Sequence, residues 1–203
     1  FVCPFALTGS MTDFIEYLNA NAQAKAGGKP LFEPGIYNEG AKKTWTALPS
    51  PRVVTDAELL SCEERLGIKL PDGYRAFMQT IGPGIWALAG VAHPDHLYAF
   101  DADCGEMEGY IALAFNVDGC GNSIGISPKA EDKSIYYFCH DPFGYAVTAP
   151  SFEDWVKAIA DCQIKNPTNG TELYYDSVGR FTEVKLPGSA DKKADGKPWW
   201  QFW

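Results

Sequence analysis

Three short stretches carry residue types that do chemistry elsewhere. His93-Pro94-Asp95-His96 sets two imidazoles and a carboxylate within four residues. A transition metal takes imidazole nitrogens that converge from fixed positions. Pro94 keeps this pair off a helix and no third histidine is near, so the sequence predicts an ordinary solvated loop. His140-Asp141 is a second imidazole–carboxylate pair. Such a pair can orient a general base, but it needs a nucleophile, and adjacency along the chain is not geometry. The third stretch is the densest in acid: Asp101, Asp103, Glu106 and Glu108 fall within eight residues. Hard cations want several carboxylate oxygens. Asp101-x-Asp103-x-Gly105 shares part of a calcium-loop pattern, but its glycine is one position early and the bidentate glutamate at position twelve is absent. Two readings remain, a solvated acidic loop and a patch facing a basic partner, which Asp118 on a later turn would extend. Gly-x-Ser-x-Gly and a Walker-type lysine are both missing. The expectation is a protein that is not an enzyme, with no cofactor and no metal.

The six cysteines are Cys3, Cys62, Cys104, Cys120, Cys139 and Cys162. None forms a C-x-x-C pair, so zinc-ribbon and thioredoxin readings fail. They are expected to pack as small reduced hydrophobes. Cys104 and Cys120, in turn-like segments, are the two to watch for reactivity or bridging.

The elements that must position these groups come in an α+β order. Ser10 and Asp13 cap a helix over residues 11–26, ended by Gly27-Gly28. Residues 29–54, rich in Pro and Gly, read as a long connector with Trp45 as its anchor into the core. Thr55 and Glu58 form a capping box before a helix with Leu59, Cys62 and Leu66 on one face. Gly67 can end that helix in the left-handed region. Pro71 suits the first turn of the next helix, whose apolar face is Tyr74, Phe77, Met78 and Ile81, and Gly82-Pro83-Gly84 stops it. Strands are predicted at 85–89, 96–100, 110–115, 122–127, 133–139 and 145–148, separated by turn residues. Asp118-Gly119 and Gly121-Asn122 make a tight hairpin connection around Cys120. Ser151 caps a helix bearing Phe152, Trp155, Val156 and Ile159. Residues 171–176 and 180–186 read as a last hairpin.

The expected architecture is one α+β domain with a mixed or antiparallel sheet of about six strands flanked by helices. It has an N-terminal helical extension and a C-terminal hairpin and tail. Residues 1–10 read as foreign or truncated, 11–54 as helix and connector, 55–186 as the domain with its hairpin, and 187–203 as a tail. The tail ends in Trp199-Trp200-Gln201-Phe202-Trp203, where burying each ring would gain on the order of 2 kcal/mol. It is expected to dock on the domain, or else on a partner or a second copy.

Hydrophobic residues make up 46% of the chain, ample for a packed core, and the net charge is −9. No basic face is present for nucleic acid, and no apolar run reaches the ~18 residues of a membrane span. An acidic surface instead attracts basic proteins.

The run Glu63-x-x-Leu66-Gly67-x-x-Leu70-Pro71-x-x-Tyr74-Arg75-x-Phe77, closing on Gly82, resembles the signature of the SUKH superfamily. That superfamily includes fungal cell-wall-assembly regulators and bacterial immunity proteins that neutralise toxins. Residues 110–127 resemble its central strand, glycine turn and next strand, and Ser151-Phe152-Glu153-Asp154-Trp155 its terminal helix start. The resemblance spans Trp45 to Ile164. The chain departs from the pattern at Ile81, where Asn is frequent, and at Asn122, where Asp is frequent. The resemblance implies a cytoplasmic, non-enzymatic immunity protein that occludes a basic cognate toxin, often a nuclease. The contact residues expected are Asp101, Asp103, Glu106, Glu108 and Asp118. A regulatory scaffold of the same superfamily is the alternative, and a small hydrolase using His140-Asp141 or a metal at His93/His96 the third.

Overall fold

A computed structural model describes residues 10–38, 44–141, 143–177 and 182–184. Helix α1 (Met11–Asn21) opens on a capping box: the Ser10 hydroxyl accepts from the Asp13 amide and the Asp13 carboxylate from the Ser10 amide. It stops five residues before the expected end, because Lys25–Ala26 (β1) pairs with Lys29–Pro30 (β2) around Gly27-Gly28.

The segment read as a connector contains two strands. β3 (Phe32–Asn38) pairs with β4 (Thr44–Ala47) on one side and with residues 84–86 on the other. Trp45 is half-buried and packs on the neighbouring strand rather than into the main core, its ring lying over Gly35, where a Cβ would overlap it.

Helices α2 (Asp56–Leu66) and α3 (Asp72–Thr80) follow. Thr55 and Glu58 form the predicted capping box, and Gly67 ends α2 at φ 67°. Gly82 has φ 78° and lies against the Arg52 carbonyl oxygen. Arg75 ties the pair together through ion pairs with Asp56 and Glu63.

Strands then run β5 (Gly84–Trp86), β6 (Ala89–Val91), β7 (Tyr98–Ala99), β8 (Ile111–Phe115), β9 (Ser123–Ile126), β10 (Ile135–His140) and β11 (Phe143–Ala149). The β5–β6 turn places Ala87 and Leu88 at φ 47° and 74°. Helix α4 (Phe152–Lys165) is capped by Ser151. Residues Gly170–Asp176 form a fifth helix, α5, where alternation suggested a strand. Thr171 decides this: its hydroxyl donates to Ala87 O (2.8 Å) and its amide to Gln163 Oε1 (3.1 Å). β12 (Thr182–Glu183) pairs with β11. The rest of the expected last hairpin, residues 1–9 and the Trp-rich tail lie outside the described residues.

The fold is α+β, as expected, but among the described residues its main sheet has ten strands rather than six. The order is β12-β11-β10-β9-β8-β6-β5-β3-β4, with β7 also on β8, and every pairing is antiparallel. All five residues of β8 are buried, which explains its unbroken apolar run. Residues from α1–α4 and two tyrosines of α5 pack on one side around Trp86, Phe77, Phe152 and Trp155. The Trp86 indole donates to Val156 O (3.0 Å) and the Tyr74 hydroxyl to Ala92 O (2.7 Å), so these large rings are buried without orphaned donors. A second, smaller cluster contains no residue of the five helices. Along β10 the two clusters alternate, Ile135 belonging to the first and Tyr136 and Phe138 to the second, as the period of a strand requires.

Candidate functional site

The acidic stretch is a flap over the sheet face that carries the second cluster. β7 pairs with the start of β8, Tyr98 opposite Ala112 and Ala99 opposite Ile111. The chain between them closes on itself: the Phe100 amide donates to Tyr110 O and the Gly109 amide to Phe100 O, both at 2.8 Å. Inside the loop a 3-10 stretch, Ala102–Met107, starts at Asp101, whose carboxylate accepts from the Asp103 amide (3.1 Å).

Cys104 and Met107, three residues apart, turn inward. They join Tyr136, Phe138 and Val184, with Phe100, Tyr110 and Tyr145 packed against the group. Phe100 meets Phe138 edge-on at 4.9 Å, and Tyr110 meets Tyr136 at 5.1 Å. Burying a methionine side chain fully stabilises by about 1.5–3 kcal/mol, and Met107 has no exposed surface. With those two residues turned in, Asp101, Asp103, Glu106 and Glu108 are exposed. Among the described residues none of the four has a cationic side chain within ion-pair distance. Half-buried Tyr110 and Tyr145 adjoin them. Burial first, then Tyr110 and Glu106, raises the Tyr145 hydroxyl above its ordinary value.

Asp118 stands apart. It follows the far end of β8, whereas the other four precede its start. Its carboxylate is occupied: Oδ1 accepts from the Cys120 backbone amide (2.9 Å), and Oδ2 from the Tyr137 hydroxyl (2.7 Å) and from Asn122 Nδ2 (2.5 Å). Asn122 in turn accepts from the His140 amide (2.9 Å) through Oδ1, which lies 2.6 Å from His140 Nδ1. His140 is therefore partnered by Asn122. Asn122 supplies both a donor and an acceptor to this turn, which a carboxylate could not.

His93 is not solvated, contrary to the expectation for its loop. It is 3% exposed, covered by α2. Its Nδ1 accepts from the Asp95 amide (3.2 Å), and its Nε2 lies 3.9 Å from Glu58 without a hydrogen bond. Burial, opposed by Asp95 and Glu58, holds this imidazole below its ordinary value. The His93 and His96 rings are 6.1 Å apart, and among the described residues no three His, Cys, Asp or Glu side chains converge as a metal-holding group. Of the watched cysteines, Cys104 is buried and its thiol pushed up to about 11, chiefly by burial and then by Asp101, so it is a poor nucleophile. Cys120 is exposed on the β8–β9 turn.

The sequence marked the flap as acidic but not the inward pair that anchors it. The signal available was two apolar residues three apart between carboxylates.

With this geometry in view, comparison with known families is decisive. Residues 53–158, just over half of the chain, match the SMI1 / KNR4 family (SUKH-1). The chain belongs to the SUKH-1 family. In this SUKH-1 chain the matched region runs from just before α2 into α4 and includes both the flap and the Asp118 turn. It leaves out α1, β1–β4, α5 and β12. Membership fits a non-enzymatic immunity or regulatory domain. No curated protein matches the chain. Among the described residues no helix is long and apolar enough to cross a membrane.

Proposed function

We propose that this SUKH-1 domain is a cytoplasmic immunity protein that binds a basic cognate toxin and blocks it by occlusion. The observation that carries the reading is the flap: four exposed carboxylates, without a cationic partner among the described residues, held on a loop pinned by Cys104 and Met107. A preordered acidic surface loses little entropy on binding. It also steers a basic partner, raising association rates by about 10–10³-fold at low salt. Half-buried Tyr110 and Tyr145 offer the amphipathic rings that interfaces favour. Asp118 supports the surface differently, by fixing the turn at the other end of β8.

The test is a titration against the toxin encoded beside this gene. Replacing Asp101, Asp103, Glu106 and Glu108 together by Lys is expected to slow association at least tenfold at low salt and to abolish protection. Tight binding that survives the fourfold reversal removes the flap from the interface. Absence of binding by the unaltered protein refutes the pairing. A regulatory scaffold is the second reading, favoured by family membership alone.

A further inference from the structure

The α2–α3 link and the β9–β10 loop enclose a cleft of about 420 Å³, within the size range of ligand sites. Its apolar lining includes half-buried Ile68 and Pro71 on one wall, and Pro128 and Ala130 on the other. Three exposed lysines line it: Lys69 on the first wall, Lys129 and Lys133 on the second.

Two of the cleft's carboxylates are already committed. Glu63 Oε1 accepts from the Leu70 amide and from Arg75, both at 2.9 Å. Asp132 accepts from the Ser134 amide (3.0 Å) and from the Tyr136 hydroxyl (2.6 Å). Glu64, exposed, is the third and has no cationic side chain within 4 Å among the described residues. The lysines are less engaged. Lys69 makes a loose pair with Asp72 (3.7 Å). Among the described residues neither Lys129 nor Lys133 has a carboxylate within 4 Å. In a chain of net charge −9, this cleft sets three little-engaged lysines against one uncommitted carboxylate, Glu64, so most of its spare hydrogen-bonding capacity is cationic.

We infer that the cleft binds a short acidic peptide segment of a partner protein, its carboxylates meeting Lys69, Lys129 and Lys133 and an apolar side chain resting on Ile68 and Pro71. The arrangement favours an extended chain over a single anion. The ammonium groups come from opposite walls, so they would flank a segment lying along the cleft, whereas a phosphate is bound best by donors converging on one point. The inference uses none of the flap's four carboxylates and stands independently of the toxin-binding reading.

The experiment is fluorescence anisotropy with the full 203-residue chain and a fluorescein-labelled hexapeptide alternating acidic residues with leucine, at low salt. Saturable binding is expected. Lys129→Glu with Lys133→Glu should weaken it at least tenfold, and Ile68→Ala should weaken it severalfold. Lys165→Glu, on the exposed last turn of α4, should leave it unchanged. The lysines are exposed, so each lysine variant should keep the thermal transition of the parent. No saturable binding overturns the proposal. So does equal weakening by Lys165→Glu, which would mean that bulk charge alone is sensed. Displacement by inorganic phosphate at matched ionic strength, as effective as by unlabelled peptide, overturns it as well, because the cleft would then be a simple anion site.

Discussion

Gly67 and Gly82 close the two helices of the α2–α3 pair, and substituting each by alanine separates two costs that usually come together. Both have a positive φ, 67° and 78°. An L residue there costs about 1–2 kcal/mol, offset by about 0.4–1 kcal/mol from the reduced entropy of the unfolded chain. A Cβ on Gly67 meets nothing within 4 Å, so Gly67→Ala should destabilise by about 1 kcal/mol. A Cβ on Gly82 would overlap the Arg52 carbonyl oxygen, a backbone atom with no rotamer to escape into. Relief requires residues 52–54 to move. That movement strains the Val54 amide bond to Met78 O (2.9 Å) and the burial of Val54, 2% exposed. The bond contributes about 0.5–1.5 kcal/mol and the side chain about 1.5–3 kcal/mol when fully buried. Partial loss of both adds about 2–3 kcal/mol, so Gly82→Ala should destabilise by roughly 3–4 kcal/mol in total. Urea unfolding followed by far-UV circular dichroism and by tryptophan fluorescence reads the two values, provided the transitions coincide. Values within 0.5 kcal/mol of each other would refute the steric argument and leave φ as the whole explanation.

Three further outcomes are expected. Burial lowers the affinity of His93 for a proton, although Asp95 and Glu58 oppose this and Arg52 and His96 reinforce it. The unfolded chain protonates it near pH 6.5, so its contribution is fully present above that pH and is lost as pH falls toward the depressed folded value. The urea midpoint of the parent should therefore fall between pH 6.5 and 5 more steeply than that of His93→Gln, and parallel curves would exclude the effect. Leu88→Gly should raise stability by about 0.5–1 kcal/mol in the same assay, since Leu88 sits at φ 74° and is 47% exposed. Met107→Ala should cost about 2–3 kcal/mol. In hydrogen exchange it should speed the Gly109 amide, which is bonded to Phe100 O, more than the Val54 amide.

What could be read in advance was local chemistry. The Thr55–Glu58 box, the Gly67 stop and the Ser151 cap each depend on residues within a few positions of one another, and all three are present. What could not be read was decided far away along the chain. β3 forms in a Pro- and Gly-rich segment because residues 32–34 find partners at 84–86. Alternation in Thr171–Asp176 is overridden because Thr171 reaches Ala87 and Tyr174 reaches Thr148 O (2.9 Å). His93 looked like a solvated loop residue until α2 covered it. Within the candidate site, the acidity of residues 101–108 was legible. That Asp118 belongs to a different end of β8 was not, since it depends on how the strand is laid into the sheet.

The alternation of two clusters along β10 carries a consequence for how this protein can change. Substitutions under the flap, among Met107, Tyr136 and Phe138, repack a group in which no α-helix residue takes part. Phe100 packs against both clusters and couples them where Phe138 meets it; away from that contact, free-energy changes at sites without shared partners add to within a few tenths of a kcal/mol. Losses on the flap side should therefore sum with losses around Phe77 and Trp155 rather than compound them. A lineage could redraw the acidic surface repeatedly, each revision drawing on the same reserve of stability from the helical side without disturbing the packing that supplies it.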